Sequence, residues 1–491
     1  MAQFHYADRD QIYLLPPSIQ DWLPPNHLAH FIVDVVDEIG LDSITSQYNN
    51  WGKRAYSPEI LVPLLLYGYA TGVYSSRQIE RSTYDSIAFR YIAGNLHPDH
   101  DTIAHFRRRF HEEIKALFVE VLEVAVQMKF TNLGKISLDG TKIKANASKH
   151  KALSSTYANG LQEELKAQIA ELLRLAEEAD LSGLPDEFSI ADELKRREDR
   201  LVEIEKAIAE MNSRAQERHA SEMEEYEKKL EAREKKERET GKKLGGRGPK
   251  PPVYSGPKTT DQVNLTDPES RIMPKGKDFV QAYNAQAGVD TDSMLIVGHR
   301  VTQNPNDKKE LIPMLEQLES LPDEFGKVGT VIADSGYFSE NNVKACVNAE
   351  VVPLIAHSRE RRNKSALAHF SEPTECAPCE LLDPVGHMKH KLQTREGKKD
   401  YSLRKSTVEP VFGIIKSIMK FERFSMRGIK LVESEWALAS TAWNLKRMHS
   451  LQQQRLQITA QFESLLAWIM QSVDRLPLLR ELNAMLQNEA M

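Results

Sequence analysis

Between Leu161 and Glu239 the chain is rich in Glu, Lys and Arg and poor in aromatic residues, and this stretch constrains the layout of everything around it. Leu161, Leu165, Ile169 and Leu172 recur at helical spacing, and so do Leu201, Ile204, Ile208 and Met211. A long helical hairpin or short coiled coil is expected, its two arms separated at Pro185 and its surface solvated. Strand-like sequence lies on both sides of it. From Gly134, KISLDGTKIKANAS alternates apolar and polar residues around Asp139-Gly140, which predicts two strands joined by a tight turn. Strand texture resumes at Asp278 with DFVQAYNAQAGVD and SMLIVGHRV. A sheet built from these pieces must close across a helical insertion.

The remaining segments fall into place around that insertion. Residues 1–130 read as helices: NHLAHFIVDVVDEI has helical apolar spacing, Ser57-Pro58 is a cap followed by a first-turn proline, and Pro98–Thr102 caps the next segment. One of these helices ends in Arg107-Arg108-Arg109. The pattern suits either a helix-turn-helix-like unit that presents the three arginines to DNA or a helical bundle with a solvated basic face. Residues 134–160 then form the first part of the sheet domain, 161–240 the charged insertion, and 241–260 a flexible Gly/Pro/basic linker. In 261–450, LIPMLEQLESL reads as helix, KVGTVIAD as buried strand, NNVKACVNA as helix and VVPLIA as strand. That alternation implies an α/β layered domain, followed by C-terminal helices over 451–491.

Bulk properties exclude some classes and leave others open. At 491 residues and 41% hydrophobic content, the chain can bury at least one substantial core and is expected to form two or three domains. Three cysteines do not make a disulfide framework, which suits a reducing cytosol. The N-terminus carries charges and prolines where a signal peptide would be apolar. The longest apolar run, Ile60–Tyr69, is too short to span a bilayer, so no membrane role is expected. The net charge of -6 does not by itself suggest a nucleic-acid partner, but DNA contact requires only a local basic face.

Three acidic residues share a suggestive setting. Asp139 and Asp334 each follow an apolar strand-like run, where functional residues of α/β sheets gather. Glu409 opens the amphipathic helix VEPVFGIIKSIMKF, with Lys416 two turns later on the same face. Carboxylates that converge repel one another unless they hold cations, and an all-oxygen donor set points to Mg²⁺ or Mn²⁺ rather than zinc. Lys142, Lys144, Arg404, Lys405 and Lys416 are the cations placed to meet phosphates. Asp290 and Asp267 occupy similar strand-end and turn positions, so the pattern leaves them as competitors.

At these same residues the sequence resembles the insertion-sequence transposases with a DDE core, more narrowly the subgroup with an InsH-like N-terminal domain. The resemblance rests on YSPEILVPLLLYGYATGVYSSRQIE with PDHDTIAHFRRRF, SLDGTKIKANAS, NLTDPESRIMPKGKDFVQAYNAQ, VIADSGYFSENN, STVEPVFGIIK, FERFSMRGIK and EWALASTAWNLKRM, in that order. It implies a ribonuclease H-like mixed-sheet catalytic core with an all-helical N-terminal domain. It also implies a metal-ligating triad of Asp139, Asp334 and Glu409, and DNA contacts from Arg107, Arg108, Arg109, Arg404, Lys405 and Lys416. Related transposases often space Tyr, Arg, Glu and Lys by two, three and six residues. Here Glu409 and Lys416 keep the last interval, while Arg404, after Tyr401, stands one residue too far from Glu409.

The implied function is binding of terminal inverted repeats, then Mg²⁺- or Mn²⁺-dependent strand cleavage and strand transfer. The implied setting is the cytoplasm, at the nucleoid of a bacterium. The partners would be transposon-end and target DNA, with a homodimer pairing two ends. The alternatives are a ribonuclease H-like nuclease without strand transfer and a catalytically inactive DNA-binding or coiled-coil protein.

Two further features read differently. Cys376 and Cys379 with His387 and His390 have the residue types of a zinc site, but their spacing also suits an exposed basic loop. Trp436 and Trp443 form an apolar helical stripe expected to pack in the core, and Cys346 is expected to be a small core residue.

Overall fold

The computed structural model describes residues 18–48, 54–182, 190–241, 245, 248–276, 278–357 and 383–473. Seven helices come first: α1 (Leu28–Ile39), α2 (Asp42–Thr45), α3 (Pro58–Thr71), α4 (Ser76–Asp85), α5 (Ile87–Ile92), α6 (His100–Arg109) and α7 (His111–Gln127). Their starts follow the expected chemistry. Ser57 Oγ accepts from the Glu59 N–H at 3.3 Å with Pro58 in the first turn, and Asp99 Oδ1 accepts from the Thr102 N–H at 2.8 Å. The apolar run Ile60–Tyr69 lies within α3, which continues through Pro63 and is buried along nearly all of its length. Among the described residues no helix is long and apolar enough to cross a membrane.

Strand β1 (Lys135–Lys144) is the centre of a mixed sheet. It is one unbroken strand, so the expected Asp139-Gly140 turn is corrected. Gly140 is paired with Gln286 of β5 (Asp278–Asp290) in extended backbone. A Cβ at position 140 would collide with Gln286 Nε2 and lie 2.6 Å from Asp307 Oδ1, so close approach, rather than a turn, favours the glycine.

β5 runs antiparallel to β1. Its other edge is shared by β4 (Arg271–Lys275) at the start and β6 (Ile296–Thr302) at the end. On the opposite side β7 (Thr330–Ala333) and β8 (Val352–Ile355) run parallel to β1, with α11 (Glu340–Asn348) crossing between them. The main order is thus β6-β5-β1-β7-β8, with α10 (Leu311–Glu319) carrying the chain from β6 towards β7. The fold is α/β with a mixed sheet and many helices.

The charged stretch forms α8 (Ser155–Ser182) and α9 (Ile190–Thr240), packed against each other. At about 1.5 Å per residue, α9 is roughly 77 Å long. Leu165, Ile204, Ala207 and Met211 make a small separate core with Leu153 and Val263, from the short paired strands β2 (Ala152–Ser154) and β3 (Gln262–Asn264). The arm's root is therefore anchored while its outer surface stays polar.

After β8 come α12 (Pro384–Gln393), α13 (Arg395–Ser406), α14 (Val408–Ser417) and α15 (Ile429–Val473). α15 lies between the N-terminal helices and the sheet, touching α3, α7 and β6. One continuous apolar cluster runs from Ile32, Leu65 and Phe118 through Trp436 to Ile136 and Val331. Trp436 and Trp443 are buried, their indole N–H groups donating to Gln286 O at 2.9 Å and Met294 O at 3.0 Å. Cys346 is a buried core residue.

Candidate active site

The parallel register of β1 and β7 pairs Leu138 with Ala333, so Asp139, in the middle of β1, lies beside Asp334, the residue that follows the end of β7. Neighbouring strands lie about 4.8 Å apart, which brings two carboxylates into one small volume. Each carboxylate is turned by a local glycine: Asp139 Oδ1 accepts from Gly140 N at 2.8 Å, and Asp334 Oδ1 accepts from Gly336 N at 2.8 Å. The crowding is electrostatically costly. The Asp139 carboxyl is pushed up to about 7, chiefly by burial and further by Asp334 and Asp307, although the Gly140 N–H and Arg404 oppose the rise.

Glu409 is the second residue of α14, and the abrupt backbone at Thr407 (φ -117°, ψ -86°) separates that helix from α13. Across this break Arg404 reaches both acids: its guanidinium lies 2.9 Å from Glu409 Oε1 and 3.8 Å from Asp139 Oδ2. The spacing of Arg404 departs from that of related transposases, yet the break between the helices carries its guanidinium into the site. Lys405 is exposed on the same helix end. Lys416, at the far end of α14, donates to Thr141 Oγ1, two residues along β1 from Asp139.

A fourth carboxylate was not singled out by the sequence. Asp307 sits in the polar run NPNDKKE between β6 and α10, where nothing local distinguishes it. Its Oδ1 accepts from Asn284 Nδ2 and Gln286 Nε2, both at 2.7 Å, and Lys142 Nζ lies 3.7 Å away. A Cβ on Gly336 would lie 2.9 Å from Asp334 Oδ1 and 3.5 Å from Asp307 Oδ2, so Asp307 borders the same space as Asp334. The signal that finds it is three-dimensional: two amides of the central antiparallel strand point at one acid.

The competing acids are absorbed by the structure. Asp290 faces Ile136 at the opposite end of β1 and accepts from Thr131 Oγ1 at 3.1 Å and Ser293 N at 3.2 Å. Asp267 is buried and accepts from the Tyr283 hydroxyl at 2.9 Å. Both are satisfied acceptors within the fold and do not join Asp139 and Asp334.

The arginine triplet divides. Ile103, Phe106 and Arg107 share the inward face of α6, so Arg107 is buried. It donates to the Tyr69 hydroxyl at 2.8 Å and Tyr74 O at 3.2 Å. This corrects the expectation that Arg107 presents itself to DNA. Arg108 and Arg109 are exposed, with Arg109 over the rings of Tyr48 and Phe110. Of the zinc-like residues, His387 and His390 lie on α12, while Cys376 and Cys379 fall outside the described residues.

The donor chemistry suits a hard divalent cation: Asp139 and Asp334 offer adjacent oxygen ligands whose repulsion a cation would relieve. Glu409 is instead tied to Arg404. Among the described residues, no three His, Cys, Asp or Glu side chains are grouped closely enough to hold a metal ion.

Comparison with known families fits this frame. Residues 17–109 match the family described as a transposase domain (DUF772), and residues 253–445 match the transposase DDE domain. Together the two stretches cover more than half of the chain, and both are domains of transposases. More narrowly, the chain belongs to the insertion-sequence transposases with a DDE domain. Asp334, Glu409, Arg404 and Asp307 lie within the second stretch, whereas Asp139 lies in neither. No curated protein and no solved structure matches the chain.

Proposed function

We propose that the protein binds the terminal inverted repeats of an insertion sequence and catalyses metal-dependent DNA cleavage and strand transfer, with Asp139, Asp334 and Glu409 as its three carboxylates. The observation that carries this reading is the register of β1 against β7. It sets Asp139, from outside the matched DDE stretch, beside Asp334 from within it. The sheet order, with three antiparallel strands followed by two parallel ones, supports a ribonuclease H-like core interrupted by the α8–α9 arm.

Asp139 and Asp334 would hold Mg²⁺ or Mn²⁺, the kind of ion this family typically uses, and Glu409 would join them once Arg404 releases it. When bound, the metal supplies Lewis acidity towards the phosphodiester and its attacking oxygen. The remaining residues position and neutralise. Arg404 balances Asp139 and Glu409 until the site is loaded, then faces the phosphate. Lys142 and Lys416 add positive charge along β1.

The exposed Arg108 and Arg109 belong to the helical segment that reads the repeats, and Lys405 contacts backbone phosphate. Pairing of two ends calls for a homodimer, with the charged arm as its means. A cytoplasmic, nucleoid-associated setting follows from the substrate.

The test is cleavage of a labelled transposon-end duplex with Mg²⁺ or Mn²⁺, comparing wild type with Asp334→Asn. Nicking at the repeat boundary that needs metal and vanishes in the variant is the expected result. Cleavage that persists in the variant removes Asp334 from the triad. Repeat binding without cleavage by the wild type makes the protein a DNA binder only. Cleavage without joined product makes it a nuclease.

A further inference from the structure

Although its net charge is -6, the chain assembles a cationic surface beside the candidate site that lacks carboxylate partners among the described residues. The assembly begins at Lys416, bonded to Thr141 of β1. Beyond α14 the backbone turns and zips along the end of β1. Lys144 N donates to Glu422 O at 3.1 Å, Phe424 N donates to Lys144 O at 2.8 Å, and Asn146 Nδ2 donates to Ser425 O at 2.7 Å. Arg427 Nε then donates to Asn146 O at 3.1 Å.

Two stretches distant in sequence thereby place their cations on one face. Lys144 and Arg423 line two adjoining clefts. One, of about 480 Å³, extends towards Lys416; the other, of about 710 Å³, extends to Arg427, Lys149 and Lys151. The acids lining these clefts are Glu422 and Asp278.

A charged face is ordinarily a solvated one, as the α8–α9 arm illustrates. There Lys228 pairs with Glu224 at 2.6 Å, Arg214 with Glu210 at 2.9 Å, and Arg238 with Glu234 at 3.2 Å. The clefts differ. Among the described residues, Lys144, Lys149, Lys151, Arg423 and Arg427 have no carboxylate within 4.0 Å. Like charges gathered without counter-charges repel, so the arrangement is stabilised by an external polyanion. Phe279 also lines the larger cleft with 61% of its surface exposed, an apolar ring among cations.

We infer that these clefts form the track of the transposon-end DNA, an assignment that rests on the transposase reading above. One strand's phosphates lead from the carboxylates along Lys416, Lys144 and Arg423 to Arg427 and Lys149–Lys151. Asp139 and Lys144 are five residues apart on β1, about 17 Å at roughly 3.3 Å per residue. That is the length of about five base pairs at about 3.4 Å each. Phe279 packs against a base or sugar of the bound DNA, the pairing of cations with an aromatic platform that nucleic acid favours.

The experiment is anisotropy titration of a labelled duplex carrying the terminal repeat that flanks the gene, repeated over a range of KCl. The proteins are wild type, Lys144→Gln/Arg423→Gln/Arg427→Gln, Lys149→Gln/Lys151→Gln, Phe279→Ala and, as control, Lys228→Gln/Lys229→Gln on the arm. Each lost phosphate contact should lower the slope of log affinity against log salt by about one. The triple variant should therefore lose about three units of slope and the first double variant about two. Phe279→Ala should weaken binding with the slope unchanged, and the arm control should match wild type. The Lys149/Lys151 pair lies outside the backbone zipper, so it reads the track even where the triple variant misfolds. Wild-type slopes in both sets, with intact repeat binding by the wild type, overturn the track and leave the transposase reading standing. A wild type that binds no duplex removes both.

Discussion

Two arginine–carboxylate networks in this protein use the same chemistry to opposite ends. In the helical layer, Arg107 donates to the Tyr69 hydroxyl, which donates to Glu435 Oε1 at 2.8 Å. Glu435 also accepts from Ser425 N at 2.9 Å, Ser425 Oγ at 2.5 Å and Met426 N at 2.9 Å. Its charge is fully buried and met by four donor groups. At the sheet end, Arg404 is shared between Asp139 and Glu409, while Asp334 and Asp307 add like charge. One network meets its carboxylate in full, with Arg107 Nε left without a partner among the described residues, and ties α3, α6 and α15 together. The other is short of positive charge and open to solvent at Glu409. A buried carboxylate met by its full set of donors holds a fold, whereas crowded acids short of counter-charge mark a candidate functional site.

The sharpest way to separate the two is to neutralise one acid in each. Asp139→Asn should reduce end cleavage by at least about a thousand-fold, since a lost metal ligand removes several kcal/mol of transition-state stabilisation. The same substitution should leave the melting temperature unchanged or raise it, because it removes a buried charge among like charges. A clear drop in melting temperature would instead make Asp139 structural. Glu435→Ala should do the reverse in stability, costing about 3–5 kcal/mol by stranding Arg107 and the donors around it. Chemical denaturation would read that loss, and a change below about 1 kcal/mol would erase the contrast.

Asp307 lies between the two behaviours. It borders the crowded site but is itself held by two amides and near Lys142. Asp307→Asn should lower cleavage by about 10–100-fold, the effect of a residue that orients a metal site without being essential to it. Its melting temperature should move little. A loss as complete as that of Asp139→Asn would promote Asp307 to a ligand, and wild-type cleavage would make it a bystander.

These differences also mark what could be read from the chain. The places of Asp334 after a strand and of Glu409 at a helix start were legible because strand ends and helix starts are local patterns. Asp139 was legible as a strand residue, but Gly140 looked like a turn because the side chains crowding it, Gln286 and Asp307, lie 146 and 167 positions away. Arg107 looked like surface because a run of three arginines hides which one faces inward. Its fate depends on Ile103 and Phe106 sharing its side of α6. Lys144 and Lys416 were legible as cations, but Asp307 and the joining of those lysines to Arg423 and Arg427 were invisible for one common reason. Each arises only when β5, β6 and the segment after α14 are laid against β1. The charged arm was legible in part: Leu161, Leu165, Leu201, Ile204, Ile208 and Met211 pack in its small core at helical spacing, whereas Ile169 and Leu172 lie outside that core and Leu153 and Val263 join it from strands.

The smallest effect tests how dry the helical side of the molecule is. His299, on β6, is fully buried against Phe118 of α7, with ring centroids 4.4 Å apart. Its Nδ1 has no hydrogen-bond partner among the described residues. Burial, with a contribution from Lys115, pushes its pKa down to about 3. The unfolded chain takes up a proton on this histidine below about pH 6.5, whereas the folded chain does not until about pH 3. Its neutral form therefore contributes fully to stability above about 6.5, and that contribution is lost as pH falls through this window. The slope is at most about 1.4 kcal/mol per pH unit. His299→Leu should flatten the decline in unfolding free energy between pH 6.5 and 5 relative to wild type, since the acids common to both chains cancel in the difference. Parallel curves would mean that His299 is protonated or hydrated inside the fold, and the layer between α7 and the sheet would then be less dry than the Glu435 network beside it.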